Sequence, residues 1–134
     1  MGLVVQGNTV YSALSFTANL AQAAATYDLC TASGGDILID LYTLGIYVHA
    51  AGATFTSVSI QTNQTNNTII MSAVEGAVAN LIAQKNIVRA IPVIGGLVLK
   101  SGQKIQYTIV GATGTGTLNV LIPFIPITAG ATLV

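Results

Sequence analysis

The stretch GGDILIDLYTLGIYVHA, from Gly34 to Ala50, carries the clearest β-strand pattern in this chain of 134 residues. Successive side chains of a strand point to opposite faces, and in this stretch both faces are apolar. One face carries Ile37, Ile39 and Leu41, and the other carries Leu38, Tyr42, Leu44 and Ile46. Such a strand is expected in the middle of a sandwich, or in a sheet whose outer face meets a partner. Gly45 predicts a bend or bulge that divides the run.

Further strand patterns lie on both sides of this stretch. Residues 3–10 form a candidate first strand, and residues 53–63 alternate Thr and Ser with apolar side chains, as in a half-buried strand. Residues 105–109 and 118–124 also alternate, and the Gly-rich segment 111–116 between them predicts a hairpin turn. Together these patterns predict an all-β chain.

Two prolines, Pro123 and Pro126, lie in or beside the last of these strands. Proline has no backbone N–H to donate to a neighbouring strand, so it is confined to edge strands and strand ends. We therefore expect the last strand to lie at a sheet edge, or to leave the sheet near these residues.

The spacing of apolar residues changes to a helical period over residues 72–86. Val74, Ala77, Val78, Leu81 and Ile82 fall at i, i+3, i+4, i+7 and i+8, on one stripe of a helix. Ser72 and Glu75 match a capping box at its start. Gly76 weakens the pattern by about 1 kcal/mol relative to alanine. We predict one short helix here.

The length of the chain matches a single domain with a sizeable core. The strand patterns predict an antiparallel β-sandwich, jelly-roll-like in type, over residues 27–134, with the one short helix inserted. Residues 1–26 precede this domain, and their sequence permits an extended arm or a first strand, with the alanines after residue 10 also permitting a helical turn.

Only eight residues are charged, four of each sign, which is 6% where about 25% is usual for soluble globular proteins. Nucleic-acid binding relies on clustered cations that release counterions from phosphates, so no nucleic-acid partner is expected. Because 52% of the residues are hydrophobic, we expect much of the surface to be covered, by lipid or by another protein. The uninterrupted apolar helix of about 20 residues that a membrane span needs is not present. No membrane partner is therefore expected.

Few side chains in this sequence offer acid–base or metal chemistry. His49 and Cys30 are each the only residue of their type, so no His or Cys recurs at metal-ligand spacing, and Cys30 is expected to be a buried thiol. Asp36 and Asp40 share one face of a strand and are a candidate cation site. The stronger expectation is that Asp40 pairs with one of the cations Arg89, Lys100 and Lys104. The sequence therefore predicts that the protein is not an enzyme and that it binds no metal and no cofactor.

Two segments of the chain resemble small structural proteins of tailed bacteriophages. Residues 27–41 match a YDL…TxSG-D-ILI segment that leads into the first long core strand of those proteins, and residues 116–131 match their tG-xLxVxIxFxPI-xxGA segment. The resemblance covers most of the chain from about Ala25 onward, and it carries no catalytic residues.

This resemblance implies a capsid decoration, or cement, protein: a non-enzymatic β-sandwich subunit, often a homotrimer, on the outer surface of the phage head. Such a protein would be made in the host cytoplasm and would bridge neighbouring major capsid proteins on the virion. Residues 1–26, where the resemblance fades, would form an arm that reaches a neighbouring subunit or the capsid and orders on binding.

The charge-free run that begins at Ile105 supplies the candidate contact with another subunit or the capsid. The expected interface residues are Leu121, Pro123, Phe124, Ile125, Pro126 and Ile127. The competing expectation is that these residues close the core of their own subunit.

Other functions remain open from the sequence. A minor tail or head-fibre subunit would have the same sequence character. A small β-barrel that binds an apolar ligand would turn part of its apolar surface inward. An outer-membrane barrel would cover that surface with lipid, but it needs about eight evenly alternating strands.

Overall fold

The computed structural model describes residues 12–90 and 95–134, and it confirms the all-β class. The strands are β1 Ser12–Asn19, β2 Thr26–Ser33, β3 Ile37–Asp40, β4 Gly45–Thr62, β5 Ile69–Met71, β6 Lys85–Asn86, β7 Gly96–Leu99, β8 Lys104–Pro126 and β9 Thr132–Leu133. Within these residues the helical structure is one 3₁₀ turn, Val78–Asn80. The strand expected over residues 3–10 lies outside the described residues.

Strand β8 is the centre of the sheet. It has 23 residues, and β4, with 18 residues, pairs antiparallel with it along one side. On its other side β8 pairs with β2 through residues 104–108 and with β1 through residues 117–124. Strand β3 pairs with the last residues of β8, and β7 extends the sheet beyond β3. Strands β5 and β6 pair with β4, and β9 pairs with β2.

Both long strands bend at the place where a turn was expected. Residues 111–116 form the middle of β8 instead of a turn between two strands, so the hairpin prediction is wrong. Opposite this segment, bulges shift the register of β4 repeatedly between Val48 and Ser57. Gly111 and Gly116 have φ values of 105° and 128°, which L side chains rarely adopt. The glycines that suggested a turn therefore bend a continuous strand.

The bend reverses which residues of β8 face the core. Before the bend the odd-numbered Ile105, Tyr107 and Ile109 are buried, and after it the even-numbered Leu118, Val120, Ile122 and Phe124 are buried. Both halves of the curled sheet face one hydrophobic core. Its largest fully buried side chains are Phe55, Leu20, Ile37, Ile39, Leu41, Ile60, Met71, Leu81, Leu99, Ile105, Ile109 and Leu118. One curled antiparallel sheet forms the fold, and a sandwich of two sheets is not confirmed.

Pro123 lies inside the sheet and not at its edge. On one side β1 pairs with β8 at this position, and on the other side β4 pairing ends at Leu121 while β3 pairing begins at Phe124. The N–H of Ile127 points toward the β3 side, where it donates to Asp36 O. Backbone nitrogens two or four residues apart point to the same side, so the nitrogen of Pro123 faces the gap between β3 and β4. No ladder bond is lost there. The edge prediction is wrong for Pro123, whereas β8 does end at Pro126.

The prediction of a helix over residues 72–86 is wrong, although the predicted capping box forms. The Ser72 N–H donates to Glu75 Oε1 (2.9 Å), and the Glu75 N–H donates to Ser72 Oγ (3.1 Å). The next residue docks on β4: Gly76 O accepts the N–H of Val58 at 2.9 Å, and a Cβ on Gly76 would lie 1.8 Å from Val58 O. Because Gly76 bonds to a strand, the helix does not continue, and tertiary packing overrides the local pattern.

The segment 1–26, expected as an arm or a first strand, contributes a strand where the structure describes it. Strand β1 pairs with residues 117–124 of β8 over its whole length. Ala18 and Leu20 are fully buried. This part of the segment therefore belongs to the same sheet and core as the rest of the chain.

Replacing Gly114 by alanine tests the bend in β8. A Cβ at this position would lie 1.9 Å from Ala53 O, so the paired strands must move apart, and we expect the free energy of unfolding to fall by about 1–3 kcal/mol. The matched change Gly45→Ala, also within a strand, places its Cβ where no atom lies within 4 Å and should have little effect. Urea unfolding followed by circular dichroism measures both. A Gly114→Ala variant as stable as the wild type would contradict the paired bend, since an open turn accommodates a methyl group.

Candidate interaction surface

Outward side chains of β2, the first half of β8 and the end of β4 are polar and hydrogen-bonded to one another. Thr108 Oγ1 lies 2.8 Å from Thr26 Oγ1 and accepts a hydrogen bond from Gln61 Nε2 at 2.9 Å. Ser59 Oγ donates to Gln61 Oε1 at 3.2 Å. Cross-strand polar pairs of this kind stabilise a sheet on its solvent side. We call the surface formed by Thr26, Asp28, Gln61, Gln106 and Thr108 the polar face.

Asp28 carries the charge of the polar face. Its carboxylate accepts a hydrogen bond from Gln106 Nε2 at 2.8 Å and forms an ion pair with Lys104. The bond from Gln106, followed by that from Lys104, holds the pKa of Asp28 below its usual value. No second ion pair occurs among the residues that the structure describes. Since an exposed ion pair adds little stability, its main effect is to satisfy the polar groups of this face in the monomer.

Outward side chains at the other end of β8 are apolar. Leu38 of β3 lies opposite Val98 of β7 on one side and opposite Ile125 of β8 on the other, so these three side chains form a row across the sheet. Leu121 lies on the same face as Ile125, because alternate residues of a strand share a face, and Ile127 directly follows the end of β8. The exposed fractions of Val98, Leu121 and Ile127 are 45%, 47% and 55%. We call the surface formed by Leu38, Val98, Leu121, Ile125 and Ile127 the apolar face.

The six residues predicted as an interface divide between surface and core. Leu121, Pro126 and Ile127 are exposed, Ile125 is half-buried, and Pro123 and Phe124 are buried. Phe124 lies on the inner face of β8 and is only 2% exposed. The two competing expectations for this run therefore apply to different residues: alternation assigns Phe124 to the core and Leu121 to the surface, whereas Pro123 is buried although it shares the face of Leu121.

Leu38 and Val98 belong to the apolar face, although the sequence prediction did not include them. The sequence did indicate an exposed apolar role for Leu38, because the strand around it is apolar on both faces. Such a strand suits a sheet whose outer face meets a partner. Its neighbours were not predictable, since the pairing of β3 with β8 and β7 joins residues that are far apart in the chain.

A loop between β3 and β4 lies beside the apolar face. Asp40 Oδ1 accepts the N–H of Tyr42 at 2.9 Å, and Asp40 Oδ2 accepts the hydroxyl of Thr43 at 2.8 Å. Asp40 thus holds the loop and does not pair with a cation, so the predicted ion pair is wrong. Tyr42 is 59% exposed, and its ring lies over Gly95, where an added Cβ would come within 1.8 Å of the ring.

Arg89 fixes the same loop from the inner side. Its Nη2 donates to Leu41 O at 3.0 Å and to Leu44 O at 2.8 Å, and its Nη1 donates to Ile70 O at 3.1 Å. Burial lowers the pKa of Arg89, and the charge of Glu75 partly offsets this effect. The planar guanidinium therefore ties the loop to β5, because it donates hydrogen bonds to backbone carbonyls of both segments.

Glu75 connects this arginine to the capping-box turn. Its carboxylate accepts the N–H groups of Ser72 and Ala90. Burial alone would raise the pKa of Glu75, but these hydrogen bonds and the charge of Arg89 together hold it below its usual value. The ionised carboxylate is thus the form that the folded chain favours.

The remaining side chains with chemical potential lie apart from one another. Asp36 Oδ1 accepts the N–H of Ser101 at 3.0 Å, and His49 is exposed on β4. Cys30 is 2% exposed, as expected, and burial raises the pKa of its thiol to about 12. Within residues 12–90 and 95–134, no group of three His, Cys, Asp or Glu side chains is placed to hold a metal ion. Among the described residues, these side chains therefore do not come together at one place.

The described part of the chain contains no helix of the length and apolar character that crossing a membrane requires. No protein-family model matches the chain, and no curated protein or solved structure matches it either.

Truncating Phe124 and Ile127 separately tests the division of the predicted interface. Phe124→Ala removes a buried ring and should lower the free energy of unfolding by about 3–5 kcal/mol. Ile127→Ala removes an exposed side chain and should change it by no more than about 0.5 kcal/mol. Urea unfolding at low protein concentration, where subunits are apart, measures both changes. Equal losses for the two variants would contradict the placement of Phe124 in the core and Ile127 on the surface.

The lowered pKa of Glu75 predicts how stability changes with pH. Because the unfolded chain binds a proton at Glu75 more readily than the folded chain does, this carboxylate stabilises the fold above its unfolded pKa of about 4.3. That stabilisation is lost as the pH falls through the lower, folded-state pKa. The thermal midpoint of Glu75→Gln should therefore fall less than that of the wild type between about pH 5 and about pH 3. Asp28 titrates in both proteins, so its contribution to the change in thermal midpoint cancels in the comparison. Parallel curves of thermal midpoint against pH would contradict the role of Glu75.

Proposed function

We propose that this protein is a non-enzymatic structural subunit of a tailed-phage virion, a capsid decoration protein that binds the outer surface of the head. In this function it bridges neighbouring major capsid proteins and acts as a homotrimer. The resemblance of residues 27–41 and 116–131 to small phage structural proteins supports the virion assignment. The surface of the fold supports an adhesive role.

The observation that carries the proposal is the contrast between the two outer faces of the sheet. The polar face satisfies its hydrogen bonds within the chain, so it suits contact with water. The apolar face leaves Val98, Leu121 and Ile127 about half exposed in a chain with only eight charged residues. An exposed group of apolar side chains on one side of a protein marks a surface for another macromolecule. We infer that the apolar face lies against a neighbouring subunit or the capsid, and that the polar face points outward.

The mechanism is additive burial of apolar surface. Fully burying an exposed Val, Leu or Ile side chain contributes about 1.5–3 kcal/mol, so a half-exposed side chain contributes about half of that. Ordering and desolvation reduce the sum, which leaves one subunit with modest affinity at a single contact. A trimer that bridges several capsid proteins engages several contacts at once, and linked contacts raise the overall affinity. The shell thereby gains association free energy without any chemical step.

Binding to undecorated shells tests this function. The shells would be assembled from the major capsid protein of the same phage, mixed with the purified chain and sedimented. We expect the wild-type chain to sediment with the shells, and the free chain at low concentration to have a native mass near three times 13.7 kDa by light scattering.

A matched pair of variants identifies the surface. Leu121 on the apolar face and Val110, near the end of the polar face, are both in β8 and are 47% and 49% exposed. Leu121→Asp should weaken shell binding at least tenfold, because a carboxylate would be buried at the contact, whereas Val110→Asp should bind like the wild type. Equal weakening by both variants would contradict the apolar face as the contact. If the wild type binds isolated tails and does not bind shells, its binding site on the virion is the tail and not the head.

A further inference from the structure

The outer edge of β1 is an unused hydrogen-bonding edge among the described residues. Strand β1 pairs with β8 on one side, and no described strand pairs with it on the other. The N–H of Leu20 donates to Gly116 O, so in this ladder the even-numbered residues of β1 bond to β8. The backbone N–H and C=O groups of Ala13, Ser15 and Thr17 therefore point away from the sheet.

Within residues 12–90 and 95–134, the features that usually prevent strand addition are not found at this edge. Exposed edges are generally blunted by Lys, by Pro, by bulges or by a covering segment. Strand β1 has the sequence SALSFTAN, with no charge and no proline, and its pairing with β8 shows no register shift. Since the formal net charge of the chain is also zero, two copies can approach along this edge without like-charge repulsion.

The core is incompletely covered beside the same edge. Leu14 and Phe16 lie on the inner face of β1, opposite the buried Ile122 and Val120 of β8. Leu14 is nevertheless 39% exposed, and Phe16 is only partly buried. A strand added at this edge would cover both side chains, so hydrogen bonding and apolar burial favour the same addition.

We propose that β1 pairs antiparallel with β1 of a second copy of this chain across a two-fold axis. A contact of this kind uses the same surface on both partners. The register follows from the backbone groups that point outward: Ser15 lies opposite its own symmetry mate, and Ala13 lies opposite Thr17 of the other copy. The pairing places Leu14 of each copy opposite Phe16 of the other, which buries the two exposed apolar side chains together. A register centred on Phe16 would instead require Asn19 O, whose two lone pairs already accept bonds from Gln22 Nε2 at 2.7 Å and from the hydroxyl of Tyr107 at 3.4 Å.

The two-fold contact would join the apolar faces of two subunits. Ser15 lies beside Leu121 in the β1–β8 register, so Leu121 of each copy would flank the axis. This inference goes beyond the proposed function and does not depend on it, because it concerns the edge of β1 and not binding to a shell. In a homotrimer the same contact would link one trimer to the next, so the native mass should rise above that of a single trimer as the concentration increases.

Disulfide trapping at single introduced cysteines tests the pairing in the full-length chain. Hydrogen-bonded partners in an antiparallel pair have Cα atoms about 5.5 Å apart, a distance that a disulfide spans. Ser15→Cys should therefore cross-link to its symmetry mate under mild oxidation. Cys30 does not interfere, since it is buried and its raised pKa keeps the thiol protonated.

Two neighbouring positions are matched controls. Ala13 and Thr17 are exposed on the same face of β1 as Ser15, but each would lie four residues, about 14 Å, from its own symmetry mate. Ala13→Cys alone and Thr17→Cys alone should cross-link at least tenfold less than Ser15→Cys. A mixture of Ala13→Cys and Thr17→Cys chains should form the mixed disulfide, which fixes the antiparallel register.

A proline at the centre of the edge supplies a second measurement. Ser15→Pro removes an N–H that points away from β8, so the monomer should keep its circular dichroism spectrum while its self-association through β1 is lost. Ser15→Ala keeps the N–H and should associate like the wild type, as measured by light scattering over a range of concentrations. The proposal is overturned if Ser15→Cys gives no cross-link, if all three cysteine positions cross-link equally, or if Ser15→Pro associates as the wild type does.

Discussion

The antiparallel pairing of β4 with β8 is the interaction on which the rest of the fold depends. Strands β1, β2 and β3 attach to β8, strands β5 and β6 attach to β4, and the remaining two strands attach through β2 and β3. Both long strands bend together, because bulges in β4 face the glycines of β8. The bend lets one sheet curl around one core, and it divides the outer surface into the polar face and the apolar face.

Much of the strand content was predictable, because residues 34–50 form an apolar run and because alternation along residues 53–63, 105–109 and 118–124 reports burial. The connections between these strands were not. A glycine-rich segment such as 111–116 serves equally well as a turn or as a bent strand, and the choice depends on a partner strand that is distant in the sequence. The predicted helix failed for the same reason, since its capping box formed but the following glycine bonded to a strand.

The presence of exposed apolar side chains was predictable, but which residues form the apolar face was predictable only in part. A chain with 6% charged residues and a charge-free run over residues 105–134 implies that some apolar side chains stay exposed. Alternation within that run separates Phe124, which the core buries, from Leu121 and Ile127, which the surface exposes. Leu38 and Val98 complete the surface through long-range pairing, and no local pattern places them beside Ile125. Low charge thus identifies the kind of surface, whereas the sheet register determines its residues.

The position of β8 in the chain also governs when the fold can form. This central strand is synthesised after β1, β2, β3 and β4, all of which pair with it. Thr17 and Asn119, whose side chains hydrogen-bond across the β1–β8 pair, are 102 positions apart. Such long-range pairing is slow to form, and the earlier apolar strands stay without their partner until β8 has left the ribosome. Because few charges separate these nascent chains, the interval before β8 emerges is the time at which they are most exposed to aggregation.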